Sequence, residues 1–301
     1  MSECEIIFDS SQSVYCPGDK LSGYVYVNLP KKVDKVRLEA SGIANVCFWY
    51  DQSNNGDRCS SEIVYFKDYL TLWEKNKEKG EKWVPGSKYY PFSLTIPHDI
   101  APSFESIHGN VRFKLKAELD IPWAVDKYCE REFKVGIPID LNSVSIYTQP
   151  QSTSIHKSSI LSSSKALEAT ISIPRLAWAV DETIPVKCDI TNNSVYNVSE
   201  IEVTVIKKEN FTGKSFLFSN QQTEKSTRRM QSVRIDVSIL ASESKEVQVD
   251  VAVSSDLVTV INCPIMSVDY ELDVTLHFDS VYASPLSTSL PVIFSNVPLT
   301  N

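Results

Sequence analysis

The chain has 301 residues, 42% hydrophobic and 23% charged, enough for two domains of about 150 residues, each with its own core. No run of about 18 apolar residues is present, which excludes a membrane-spanning helix. A net charge of -8 excludes general nucleic-acid binding, because displacing counterions requires an excess of Lys and Arg.

Met1-Ser2-Glu3-Cys4-Glu5 is not the positive-then-apolar start of a secretory signal, so the cytosol is the expected compartment. The cysteines, Cys4, Cys16, Cys47, Cys59, Cys129, Cys188 and Cys263, are odd in number, scattered and without a CxxC pair, which agrees. Sequons at Asn192, Asn197 and Asn210 read as chance in that setting.

Ile6 to Phe8 begin a short strand, and a turn at Cys16-Pro17-Gly18-Asp19 leads into LSGYVYVNL, where Leu21, Gly23, Val25, Val27 and Leu29 alternate with more polar or aromatic residues. Lys31 and Lys32 read as a turn. In the next strand Val36, Leu38 and Ala40 alternate with Arg37, Glu39 and Ser41, and Gly42 marks a bulge or a close backbone approach. Residues 51–61, DQSNNGDRCSS, read as an exposed loop, followed by a strand through EIVYFKDYLTLWE. The run 74–82 reads as a charged loop, Pro85-Gly86 as a turn and Tyr89 to Ile96 as a strand.

Residues 111–119, VRFKLKAEL, are the clearest strand: Val111, Phe113, Leu115, Ala117 and Leu119 are apolar, while Arg112, Lys114, Lys116 and Glu118 are charged. Strict alternation predicts one buried and one wet face. A further strand surrounds Phe133, Val135 and Ile137. Residues 143–165 are rich in Ser and Thr and read as an interdomain connection, part extended and part mobile. Alternating strands resume near Ala166, and residues 208–232, with Arg228 and Arg229, fit no clear pattern.

A repeat organises these elements. A shift of 157 residues lays Ser87 on Ser244, Val111 on Val268 and Leu119 on Leu276 in constant register over about 33 positions. Upstream, a shift of 162 lays PGDKLSGYVYVNL on AVDETIPVKCDIT. Two copies of one unit with about seven short strands each predict an all-β chain of two tandem immunoglobulin-like sandwiches. The expected divisions are 1–142, 143–165 and 166–301.

The residues offer little for catalysis. His98, His108, His156 and His277 form no ligand-spaced cluster, and no phosphate loop, nucleophile elbow or HExxH helix occurs. Cys129 with His108 can be imagined as a nucleophile pair, but packing is the better reading of such scattered cysteines. The expectation is a non-enzyme without metal or cofactor. Arg112, Lys114 and Lys116 instead form a row on one strand face at intervals of about 6.5 to 7 Å, suited to phosphate or carboxylate groups on an extended peptide. The alternative is a solvated face paired with neighbouring carboxylates. In the second copy, Asp269, Glu271 and Asp273 invert the charge of this row.

Several segments resemble arrestins. PGDKLSG, PGSKYYPFSLTIP, PSFESIHGNVRFKLKAELDIPW and IDLN are similar to successive signatures of arrestin amino-terminal domains. DITNNSVYNVSEIEVTVIKK, MSVDYELDVTL and LPVIFSNVPL are similar to the carboxy-terminal domain in the same order. The Asp120-Ile121-Pro122-Trp123 segment resembles the α-arrestin, or arrestin domain-containing, branch.

The resemblance implies a non-enzymatic adaptor that binds cytoplasmic tails or loops of membrane receptors or transporters and directs their endocytosis, sorting or ubiquitination. It implies a cytoplasmic protein with peripheral recruitment to the plasma membrane or endosomes. Lys116 matches a phosphate-contacting lysine of receptor-binding arrestins, but their paired lysines in the first strand are replaced by Ile6, Ile7, Phe8 and Asp9. The resemblance therefore does not extend to activation by receptor phosphorylation. Recruitment of a ubiquitin ligase would need Pro-Pro-x-Tyr motifs in a tail beyond Asn301, since no two prolines adjoin here. One member of the branch binds thioredoxin through a cysteine of the second sandwich; the segment here around Ser242 to Lys245 has none. The other reading of a non-enzyme is a soluble signalling scaffold without membrane cargo.

Overall fold

The computed structural model describes residues 3–29, 32–50, 56–76, 83, 85–138, 145–159, 162–217, 220–260 and 262–295, the backbone alone over 157–159 and 162–166. Lys31, residues 51–55 of the polar loop, 77–82 of the charged run, the IDLN segment from 139, and 296–301 with Pro298 lie outside the described residues. The chain divides into two units. The first comprises Met1–Ile137, Phe211–Glu224 and Val260–Met266, and the second Pro138–Asn210, Lys225–Thr259 and Ser267–Asn301. This partition differs from the expected 1–142, 143–165 and 166–301 in assigning two later segments to the first unit and the whole of 138–165 to the second.

The first unit contains β1 (Cys4–Phe8), β2 (Val14–Tyr15), β3 (Lys20–Leu29), β4 (Lys35–Tyr50), β5 (Asp57–Glu74), β6 (Gly86–Thr95), β7 (Phe104–Glu105), β8 (Gly109–Asp120) and β9 (Lys127–Val135). One sheet has the order β1-β3-β6, and the other β5-β4-β8-β9-β2 with β7 beside β8. The alternation of β8 appears as burial: Val111, Phe113, Leu115, Ala117 and Leu119 are each at most 1% exposed. Such burial contributes about 2 kcal/mol per large side chain. Phe113 lies between Phe66 and Phe133, with ring centroids at 6.1 and 5.9 Å.

Gly42 meets both parts of its expectation. The β4–β5 register shifts between Gly42 and Ile43. A Cβ at Gly42 would come within 2.5 Å of the Phe113 ring and 2.6 Å of the Phe66 ring. The polar run after residue 56 is not all loop, because Asp57 to Ser61 begin β5. Cys59 there is fully buried, and Asp57, 7% exposed, accepts a hydrogen bond from the Ser215 hydroxyl.

The second unit contains β10 (Gln151–Ser159), β11 (Ser162–Ile173), β12 (Ala177–Ala179), β13 (Thr183–Asn192), β14 (Val198–Ser215), β15 (Gln221–Ile239), β16 (Glu243–Ala252), β17 (Met266–Phe278) and β18 (Leu286–Ser295). Residues 211–215 of β14 and 221–224 of β15 belong to the first unit. The sheets have the orders β10-β11-β13-β16 and β12-β18-β17-β14, with β15 on β14. Much of the Ser/Thr stretch expected as a connection is therefore strand. β10 and β11 pair antiparallel from Gln151↔Ile173 onward.

The pairings refine the repeat. β8 and β17 bury matching positions 157 residues apart. β3 pairs β6 with Lys20 opposite Thr95, and β13 pairs β16 with Thr183 opposite Ala252. These place β3 on β13 at an offset of 163, correcting 162. The burial patterns require the same value, since buried Leu21, Val25 and Val27 then fall on buried Ile184, Cys188 and Ile190. An offset one residue smaller would lay core positions on the wet face.

Candidate interaction surface

The wet side of β8 carries the three basic residues on one row, flanked by β4 and β9. The register sets Lys116 opposite Glu39 on β4 and Glu130 on β9, and Lys114 opposite Ser41 and Glu132. Each cation has a local partner. The Arg112 guanidinium donates to both oxygens of the Glu105 carboxylate at 2.6 and 2.9 Å, and this bond holds Arg112 more firmly protonated. Lys114 donates to Glu130 at 3.4 Å. Lys116 lies over the Tyr128 ring, with Nζ 4.7 Å from its centroid, and forms no ion pair with the described residues. Arg37–Glu118 at 2.9 Å and Lys67–Glu39 at 3.3 Å extend the lattice.

The face is thus a balanced array of ion pairs, and the paired alternative expected from sequence is what Arg112 and Lys114 adopt. These pairs are largely exposed, with side-chain exposures of 52% and 59% for Arg112 and Glu105. Such pairs contribute about 0.2–1 kcal/mol each, so an incoming carboxylate or phosphate can replace the resident one at little cost. Cation–π contact with Tyr128 leaves the Lys116 ammonium its three donors.

The second unit carries a different set of charges, and sequence reasoning missed its centre. Of the acidic row on β17, Glu271 accepts from Lys208 at 2.5 Å. Nearby, Glu202 on β14 is only 4% exposed and accepts from Arg229 at 2.9 Å and Arg234 at 3.1 Å, both on β15. His277 Nε2 lies 3.5 Å away. Burial would raise the Glu202 carboxyl, but Arg234, Arg229 and His277 outweigh it and hold it below the ordinary carboxylate range. A depressed carboxylate stabilises the fold above its unfolded value and loses that contribution as pH falls through the folded one. Acid titration of Glu202→Gln is therefore expected to show a shallower loss of stability below about pH 4.5 than wild type, with the variant weaker by about 1–3 kcal/mol at neutral pH.

The imagined pair of Cys129 and His108 is not formed. His108 packs against the rings of Phe48 and Phe211, centroids at 6.4 and 5.7 Å, while Cys129 is joined to Cys4. The expectation of scattered packing cysteines is corrected for these two. Among the described residues, no three His, Cys, Asp or Glu side chains converge as a metal site. No described helix is long and apolar enough to cross a membrane. Asn192 is completely buried, and its amide donates to the carbonyls of Tyr196, Ile239 and Leu240. Its sequon is closed to glycosylation.

Two all-β units related by an internal repeat, each with two mainly antiparallel sheets, define a tandem-sandwich protein of the arrestin fold. Residues 4–142 match the family described as arrestin (or S-antigen), N-terminal domain, and residues 163–299 match arrestin (or S-antigen), C-terminal domain. The chain belongs to the arrestin family. Among curated proteins it is similar to arrestin domain-containing protein 17 of Caenorhabditis elegans, 24% identical over 98% of this chain and 70% of the relative. It is also similar to arrestin domain-containing protein 1 of Rattus norvegicus, 24% identical over 97% and 64%. Thioredoxin-interacting protein of Homo sapiens is 25% identical over 89% and 68%. The chain thus spans 64% to 70% of the lengths of these relatives.

Proposed function

We propose that the chain is a non-enzymatic cytoplasmic adaptor that binds cytoplasmic tails or loops of membrane receptors or transporters and directs their endocytosis, sorting or ubiquitination. Membership of the arrestin family, over nearly the whole chain, is the observation that supports this reading. The contact surface in this proposal includes Arg112, Lys114 and Lys116 on the wet face of β8. Lys116 has no ion pair to give up among the described residues, while Arg112 and Lys114 must exchange Glu105 and Glu130 for acidic groups of the partner. Recruitment of a ubiquitin ligase through a Pro-Pro-x-Tyr motif would need residues other than these, in which no two prolines adjoin. Thioredoxin binding, which the name of one relative suggests, is not proposed: no cysteine stands around Ser242 to Lys245. The test is capture of membrane-protein cytoplasmic segments by wild type and by a variant neutralised at the three basic positions, in which capture is expected to fall.

A further inference from the structure

Among the described residues, β1 pairs with β3 alone, which makes it an edge strand of its sheet. β9 lies in the opposite sheet, and β2 covers it only at Lys134 and Val135. Along the remaining length, three alternate residues of β9 reach across to β1 and to the residue just before it. Lys127 forms an ion pair with Glu3. Cys129 is disulfide-bonded to Cys4, with Cα atoms 5.7 Å apart. Arg131 donates to the Ile6 carbonyl at 2.9 Å and lies 4.0 Å from the Phe8 ring centroid. Side chains, not a strand, therefore close this side of the first sandwich.

The bond is placed for chemistry. Cys4 is 9% exposed with its side chain in the core, whereas Cys129 is half-buried and is the sulfur an external thiolate can reach. Arg131, two residues along on the same face of β9 and in no ion pair among the described residues, supplies positive charge, which favours the Cys129 thiolate released in the second step of an exchange. Cys59 and Cys188 offer the contrast. Both are fully buried, and burial pushes the Cys188 thiol up to about 12.

We propose that Cys4 and Cys129 form a thiol–disulfide exchange site, reduced by a dithiol, that fastens or releases β1 along its outer edge. A dithiol thiolate attacks Cys129, the Cys4–Cys129 bond breaks, and Cys4 leaves as a thiolate that takes up a proton. The second thiol of the reductant then displaces Cys129. The protein gains two electrons and two protons, and the dithiol becomes a disulfide. The bond closes a long stretch of chain, with a sequence separation of 125, so it is the dominant constraint at this edge. Without it, the Lys127–Glu3 ion pair, the contacts of Arg131 and the burial of Ile6 remain at this edge among the described residues, and an edge with unsatisfied backbone groups opens to other pairing. The inference rests on the geometry of the first unit and not on the proposed adaptor function.

The test uses the purified chain equilibrated with oxidised glutathione or with dithiothreitol, followed by denaturing alkylation and peptide mapping. Oxidised protein is expected to show five alkylated cysteines and one Cys4–Cys129 crosslinked peptide, and reduced protein seven. Hydrogen exchange of amides 4–8 is expected to become at least about tenfold faster on reduction, with β6 unchanged. Cys129→Ser is expected to match the reduced protein and to ignore dithiothreitol; reduced wild type supplies the same comparison should this variant fold poorly. Seven alkylated thiols after oxidation, a crosslink between other cysteines, or equal exchange of residues 4–8 in both states would overturn the proposal.

Discussion

Gly23→Ala is expected to lower the stability of the first sandwich by about 3–4 kcal/mol. Gly23 lies in β3 opposite Phe8 of β1, and a Cβ there would stand 2.1 Å from the Ile7 carbonyl oxygen and 3.0 Å from the Ile7 carbonyl carbon and the Phe8 Cα. These are backbone atoms, so no rotamer change relieves the collision. The end of β1 must leave β3, losing ladder bonds and the Asp9 N–H bond to Ser22 O. Chemical denaturation checks this through a lower midpoint at an unchanged slope. A loss below about 0.5 kcal/mol, the range of ordinary surface changes, would mean that β1 does not approach β3 this closely.

Asn192→Asp is expected to cost about 3 kcal/mol or more at neutral pH. The Asn192 side chain is fully buried, and its oxygen accepts from Ser194 N and Ser194 Oγ at 3.1 and 2.6 Å while its amide serves three carbonyls. A carboxylate has no donors, so the substitution sets a buried negative charge against three carbonyl oxygens. Burial and these acceptors raise the pKa of the new carboxyl in the fold. The sign follows: stability is higher where the group is protonated and falls as pH rises through its folded value. Melting temperature against pH therefore separates Asn192→Asp, which should recover on mild acidification, from Asn192→Ala, which should not.

Much of the first sandwich was legible because its strands alternate against a buried core. β8 could be assigned from VRFKLKAEL, and Gly42 from its place inside an alternating strand, since both signals are local. The repeat identified β17 as the partner of β8, but the 162 offset failed by one residue because a slip of one flips every side chain, which letter matching does not weigh. β10 escaped because Ser, Thr and His dominate it. β15, over residues 221–239, escaped because it has no buried side chain except Ile239. Such strands are specified by the neighbours they pair with.

The candidate surface was half legible. The row of Arg112, Lys114 and Lys116 follows from periodicity, but Glu105, Glu130 and Tyr128 come from other strands, and only the fold shows that they meet. Glu202 with Arg229 and Arg234, and Cys4 with Cys129, are long-range pairs with no local spacing to announce them.

In the proposed function, the first sandwich engages acidic or phosphorylated cytoplasmic segments through this face of β8. Reversing the charges would set new carboxylates beside Glu105 and Glu130, so the neutral variant Arg112→Gln/Lys114→Gln/Lys116→Gln is the cleaner probe. Capture of membrane-protein cytoplasmic segments by the folded variant and by wild type, at low and at high salt, is the direct measurement. Wild-type capture is expected to weaken with salt, and the variant is expected to capture less and to respond less to salt. Equal, salt-insensitive capture by both proteins would contradict it.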